Sequence, residues 1–134
     1  MFRFATIILL LVAVTGCYSG NQADISGTVT VDGVPVQGGY VSFSAPDGSS
    51  PVEGAQITDG VYRTKVTPGE KIVKVTGTKN VPATIYDEVS RKTYTGEEPV
   101  TVTSHQYETN DSPLRITVQK SGEVHDFDVP PKEK

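Results

Sequence analysis

Residues 24–130 of this 134-residue chain read as an all-β domain, a small antiparallel β-sandwich of about seven or eight strands. Three observations carry that reading. Apolar side chains recur with a period of two, turn-forming dipeptides fall between the apolar runs, and no stretch shows the 3.6-residue period of an amphipathic helix. Composition agrees: 13 glycines, 9 prolines and no tryptophan suit a turn-rich β protein.

The first strand is marked by Ile25, Gly27, Val29 and Val31 alternating with Ser26, Thr28 and Thr30. Asp32-Gly33 follows as a hairpin signal, because both central residues of a type I′ turn need positive φ. Pro35, between Val34 and Val36, assigns that piece to an edge or connection. Tyr40 to Ala45 alternates again, with Val41 and Phe43 on one face and Ser42 and Ser44 on the other. Pro46 to Pro51 is a loop.

Ala55–Thr58 and Val61–Thr64 are short strands joined by Asp59-Gly60. Pro68-Gly69 turns the chain into Lys71–Thr78, which points Val73 and Val75 inward. Leu114, Ile116 and Val118 mark a later strand. Ser121-Gly122 leads to a last one, with Phe127 and Val129 inward, Asp126 and Asp128 outward, and Pro130-Pro131 as its stop.

Residues 79–113 break the rhythm. They hold Tyr86, Tyr94 and Tyr107, five acidic residues before Asp111, and a strand signal at Val100–Thr103. About 35 residues is too long for a plain connection in a compact domain. The stretch reads as an elaborated loop, as an extra edge hairpin or as a floppy insertion. Long loops are where binding concentrates, so Tyr86, Tyr94 and Tyr107 are the candidate ligand or partner residues.

The start of the chain reads as a leader. Arg3 precedes an apolar run from Ala5 to Val14. As a helix that run would rise about 15 Å, half of a bilayer core, which suits a signal-peptide core rather than a membrane span. Val14-Thr15-Gly16-Cys17 resembles the lipobox of bacterial lipoproteins, and Cys17 is the only cysteine in the chain. The resemblance implies acylation of Cys17 and cleavage after Gly16. Residues 1–16 are then the signal peptide and 17–23 a short polar tether. A lone thiol is otherwise hard to place in an exported protein. Tyr18 after the cysteine is not the aspartate that favours inner-membrane retention in some bacteria, so the outer membrane is the expected side.

Twelve basic against 16 acidic residues give a net charge of −4, and removing Arg3 with the leader makes it −5. No basic cluster is present for nucleic acid. One cysteine excludes an internal disulfide, and two separated histidines make no zinc site. His105 beside Ser104, and His125 beside Asp126, are sequence neighbours that a regular strand would point to opposite faces, so neither builds a catalytic pair. Asp126 and Asp128 share one face, but two carboxylates fall short of the six or more oxygen donors calcium needs. No catalytic residue, metal or cofactor is expected.

Several stretches together resemble the carboxypeptidase regulatory-like domain, a small transthyretin-type sandwich. They are Ser26–Val36, Thr58–Tyr62, Thr67–Val75 and the closing hairpin of Ser112–Val118 with Gly122–Val129. The resemblance implies a module that does no chemistry itself. Transthyretin-like hydrolases end in Tyr-Arg-Gly-Ser, whereas this chain ends Pro130-Pro131-Lys132-Glu133-Lys134, so that activity is not implied. The expectation is a lipid-anchored envelope protein, held to the membrane through Cys17, that binds or supports an envelope partner. The alternative is a periplasmic small-ligand carrier using 79–113 as a lid.

Overall fold

The structure, a computed structural model, describes residues 21–134. Cys17, Gly16 and the leader lie outside those residues. Among the described residues, ten strands form one continuous sheet. They are β1 (Ala23–Val31), β2 (Val34–Pro35), β3 (Gly38–Ser44), β4 (Glu53–Thr58), β5 (Val61–Val66), β6 (Gly69–Asp87), β7 (Lys92–Thr101), β8 (Arg115–Val118), β9 (Glu123–Val124) and β10 (Phe127–Val129). The main strand order is β10-β1-β5-β4-β3-β6-β7, with β2 and β9 also on β1 and β8 on β6. The count exceeds the expected seven or eight because β2 and β9 are two-residue strands. Such pieces are too short for periodicity to register.

The β4–β5 hairpin is the corner at which the sheet curls on itself, so its two halves enclose a common core. Ile25, Val29, Tyr62, Val66 and Phe127 come from one half; Val41, Phe43, Ile57, Val73, Val75 and Val118 come from the other. Phe43, Tyr62 and Phe127 meet at its centre, with ring centroids 5.9 to 6.5 Å apart. The two hairpin dipeptides adopt the backbone their residues dictate. Asp32 and Gly33 have φ of 52° and 78°, and Asp59 and Gly60 have φ of 51° and 77°.

The sheet is mostly antiparallel, but the chain end returns parallel to β1. Val29 pairs with Phe127 and Val31 with Val129, while Ile25 pairs with Glu123. Two carboxylates fasten this closure. Asp126 Oδ1 accepts from the Thr28 N–H (2.8 Å) and the Thr28 hydroxyl (3.1 Å). Asp128 Oδ1 accepts from the Thr30 hydroxyl (2.7 Å) and the Gly33 N–H (2.9 Å). The threonines that alternate outward on β1 thus meet the aspartates that alternate outward beside it. Gly27 lets the crossing happen, since a Cβ there would stand 1.9 Å from the His125 carbonyl oxygen. Pro130-Pro131 does not end the pairing outright: Pro131 bridges Thr103, and the Lys132 N–H donates to the Val102 carbonyl.

The stretch 79–113 resolves into two parts. Its first part is a hairpin arm in which Lys79–Asp87 of β6 pairs with Lys92–Val100 of β7. The strand signal at Val100–Thr103 marks only the end of β7. The second part is a loop-out. On β6, Thr78 pairs with Thr101 while Ile72 pairs with Arg115. Five residues between them on one strand face thirteen on the other, so β7 and β8 form one edge interrupted by eight extra residues. A 3-10 turn at His105–Glu108 lies in the excursion. It is tied down by Ser112 Oγ donating to the Val73 carbonyl (2.6 Å) and Thr103 Oγ1 donating to Glu108 (3.0 Å).

Candidate functional site

The tyrosines singled out in the sequence do not converge. Tyr94 stands across from Ile85, and Tyr86 across from Thr93, so the two rings occupy opposite faces of the arm. Both are more than half exposed. Tyr107 is half-buried on the 3-10 turn. None of the three lines either concavity described below.

Nor do the other polar candidates assemble a reacting group. His105 Nδ1 lies 3.4 Å from its neighbour Glu108, and His125 Nε2 lies 3.1 Å from Glu123. Glu123 is committed elsewhere: its Oε2 accepts the N–H groups of Lys120 (2.6 Å) and Gln119 (2.7 Å). Those donors hold its carboxyl below the usual range, Lys120 foremost. Asp128 is likewise held low, first by the Thr30 hydroxyl and then by the Gly33 N–H. Both carboxylates are structural clasps. No cluster of three or more metal-ligating side chains occurs among the described residues.

A groove of about 600 Å³ opens where three pieces of chain meet: the β1–β2 hairpin, the base of the arm and the C-terminal tail. Val34, Pro35, Val36, Val100, Val102 and Pro131 give it an apolar lining. Each piece has a local reason for its place. The type I′ turn projects Val34, which is 66% exposed. Val36 is buried beside Gly77, where a Cβ would meet it at 2.7 Å. The Thr103–Pro131 bridge lays the tail along the far wall. Asp32, Lys79, Lys132 and Lys134 also line the groove. Sequence reasoning treated Pro35 and Pro131 as an edge and a stop, and had no means of bringing them together. The exposed Val34 after a tight turn was the one available signal.

A second, smaller concavity of about 310 Å³ sits between the loop at 45–50 and the β5–β6 turn. Lys71 enters it from the core face of β6, only 1% exposed, and its Nζ donates to Ser50 Oγ at 2.7 Å. The inward position follows from alternation with Val73. The long stem then carries the buried ammonium past the core to a hydroxyl partner.

No family model matches the chain, and no curated protein matches it. Among solved structures it is similar to a candidate adhesin from Bacteroides ovatus, at 16% identity and a TM-score of 0.44. The alignment covers 83% of this chain and 44% of that one, so the chain spans under half the length of that structure. Among the described residues, no helix is long and apolar enough to cross a membrane.

Proposed function

We propose that this chain is a lipid-anchored protein of the bacterial envelope whose β domain is a non-catalytic binding module. Its contact surface is the apolar groove between the β1–β2 hairpin and the tail. The observation that carries the reading is the groove itself, a built concavity with Val34 standing exposed at its lip. Protein segments dock in apolar clefts by placing side chains there, and a charged rim sets orientation. The lipobox-like Val14–Cys17 and the order of turns resembling a carboxypeptidase regulatory-like domain support the anchored, non-enzymatic part of the proposal.

Chemical crosslinking of the native chain in intact envelopes tests it, run beside Cys17→Ser and Val34→Glu variants. The expected result is one reproducible adduct, lost without the anchor and strongly reduced by the groove charge. An adduct indifferent to Val34→Glu would exclude the groove. Failure to incorporate labelled fatty acid at Cys17 would exclude the anchor.

A further inference from the structure

We infer that the arm is a self-association element, in which the free edge of β7 pairs antiparallel with β7 of a second copy of this chain. The inference goes beyond the binding-module proposal and does not depend on it.

The argument begins with which backbone groups point outward. The Asn80 N–H donates to the Gln37 side chain, away from β7, whereas the Val102 N–H donates inward to the Gly77 carbonyl. With an unbroken register along the arm, even-numbered residues of β6 and odd-numbered residues of β7 present their N–H and C=O groups outward. On the β6 edge the outward set includes Pro82, which has no N–H to offer, and Asn80, whose N–H is already used. That edge is blocked in its middle. On the β7 edge the outward set is Thr93, Thr95 and Glu97, followed by Pro99. The tail covers the edge beyond, through the Thr103–Pro131 bridge. One stretch of unblocked edge therefore remains, Lys92–Glu98.

Its sequence, Lys-Thr-Tyr-Thr-Gly-Glu-Glu, complements itself when reversed about Thr95. Lys92 then faces Glu98 of the second copy, Thr93 faces Glu97, Tyr94 faces Gly96 and Thr95 faces Thr95. Two lysine–glutamate pairs form by symmetry. Tyr94 meets Gly96, over which the Ile85 side chain already lies, so its ring has an apolar surface to pack on, and Pro99 falls just outside the ladder. Neither Lys92 nor Glu98 takes part in an ion pair among the described residues. Thr93, Thr95 and Glu97 each acquire the backbone partners that an edge strand lacks. The arm is also held ready by its tip, where Asp87 accepts from the N–H groups of Val89 (2.9 Å) and Ser90 (3.3 Å) and from the Ser90 hydroxyl (2.8 Å).

The test is a charge swap read by sedimentation of the full-length, detergent-solubilised chain over a range of concentrations. Lys92→Glu and Glu98→Lys singly should each weaken the dimer by roughly tenfold. The double variant should restore it. In intact envelopes, Thr95→Cys should oxidise to a disulfide-linked dimer, while Tyr86→Cys on the blocked edge should not. A monomer at every concentration overturns the inference, as does a dimer that the double swap fails to rescue. Equal crosslinking from both cysteines overturns it too. A monomeric chain that still captures an envelope protein through Val34 would refute self-pairing while leaving the binding-module proposal standing.

Discussion

Strand β6 is 19 residues long and behaves as two strands laid end to end. In its first half, Lys71, Val73, Val75 and Gly77 are all buried, because the sheet curls over them and supplies a second layer. In its second half the same face carries Val81, Ala83 and Ile85, each only half-buried, because the arm has no layer above it. Backbone pairing is continuous through both halves. The difference teaches that ladder hydrogen bonds shape the arm, while burial between layers stabilises the domain. The buried half is the folding unit, and the arm is free to serve as a surface.

Substitutions can break that contrast, and the largest effect belongs to the core. Phe43→Ala removes a ring that touches both Tyr62 and Phe127, and urea titration should show a loss of about 3–5 kcal/mol. Ile85→Ala, a similar truncation on the arm, should cost less than about 1 kcal/mol. Equal costs would mean that the arm belongs to the core.

Gly27→Ala comes next. The added methyl would press on the His125 carbonyl, to which the Tyr62 hydroxyl also donates at 2.6 Å. A loss of about 2–3 kcal/mol is expected in chemical denaturation, with the closing strands β9 and β10 first to lose amide protection.

Tyr62→Phe leaves that carbonyl without its buried donor and should cost about 1–2 kcal/mol. It also carries a pH signature. Burial, with the Asp126 charge adding to it, raises the Tyr62 phenol well above its ordinary 10.0. The unfolded chain therefore ionises first. The stability this group provides is present below pH 10 and declines as pH rises past it. The Phe variant should lack that alkaline decline.

Asp128 gives the opposite limb. Its carboxyl is held low by Thr30, so its contribution is present above its ordinary 3.8 and fades as pH falls through the depressed folded value. Asp128→Asn should therefore be slightly less stable than wild type at neutral pH, and its acid titration should be flatter below 3.8, the two curves converging once Asp128 is protonated in both states. The smallest effect is expected from shortening the arm. Replacing Pro82–Glu97 by Asn-Gly, so that a two-residue turn joins the hydrogen-bonded pair Val81 and Glu98, should move Tm by no more than about 3 °C.

The same division explains what could be read from the residues alone. Strands β1, β3, β5 and the first half of β6 announce themselves because one face is buried, so apolar and polar residues alternate. Asp32-Gly33 and Asp59-Gly60 are legible because few residues tolerate positive φ at both central positions of a turn. The arm is illegible for the converse reason. Exposed on one face, only half-buried on the other and interrupted by Pro82 and Pro99, it has too little burial to imprint a clear period, and only Val100–Thr103 gave a signal. The parallel return of β10 onto β1 joins residues 98 apart in sequence, such as Thr30 and Asp128, and no local pattern encodes such a pairing. The groove inherits that difficulty, since its walls come from residues 31–36, 100–102 and the tail.

The measurement that tests the account most directly is site-specific photocrosslinking in intact envelopes. One probe replaces Val34 at the groove lip, and a second replaces Val52, equally exposed at 63% but not part of the groove. The account predicts a discrete adduct from the Val34 probe, absent from the Val52 probe and lost when Cys17 is changed to Ser. The same adducts from both positions, or an adduct at Val34 that survives loss of the cysteine, would contradict it.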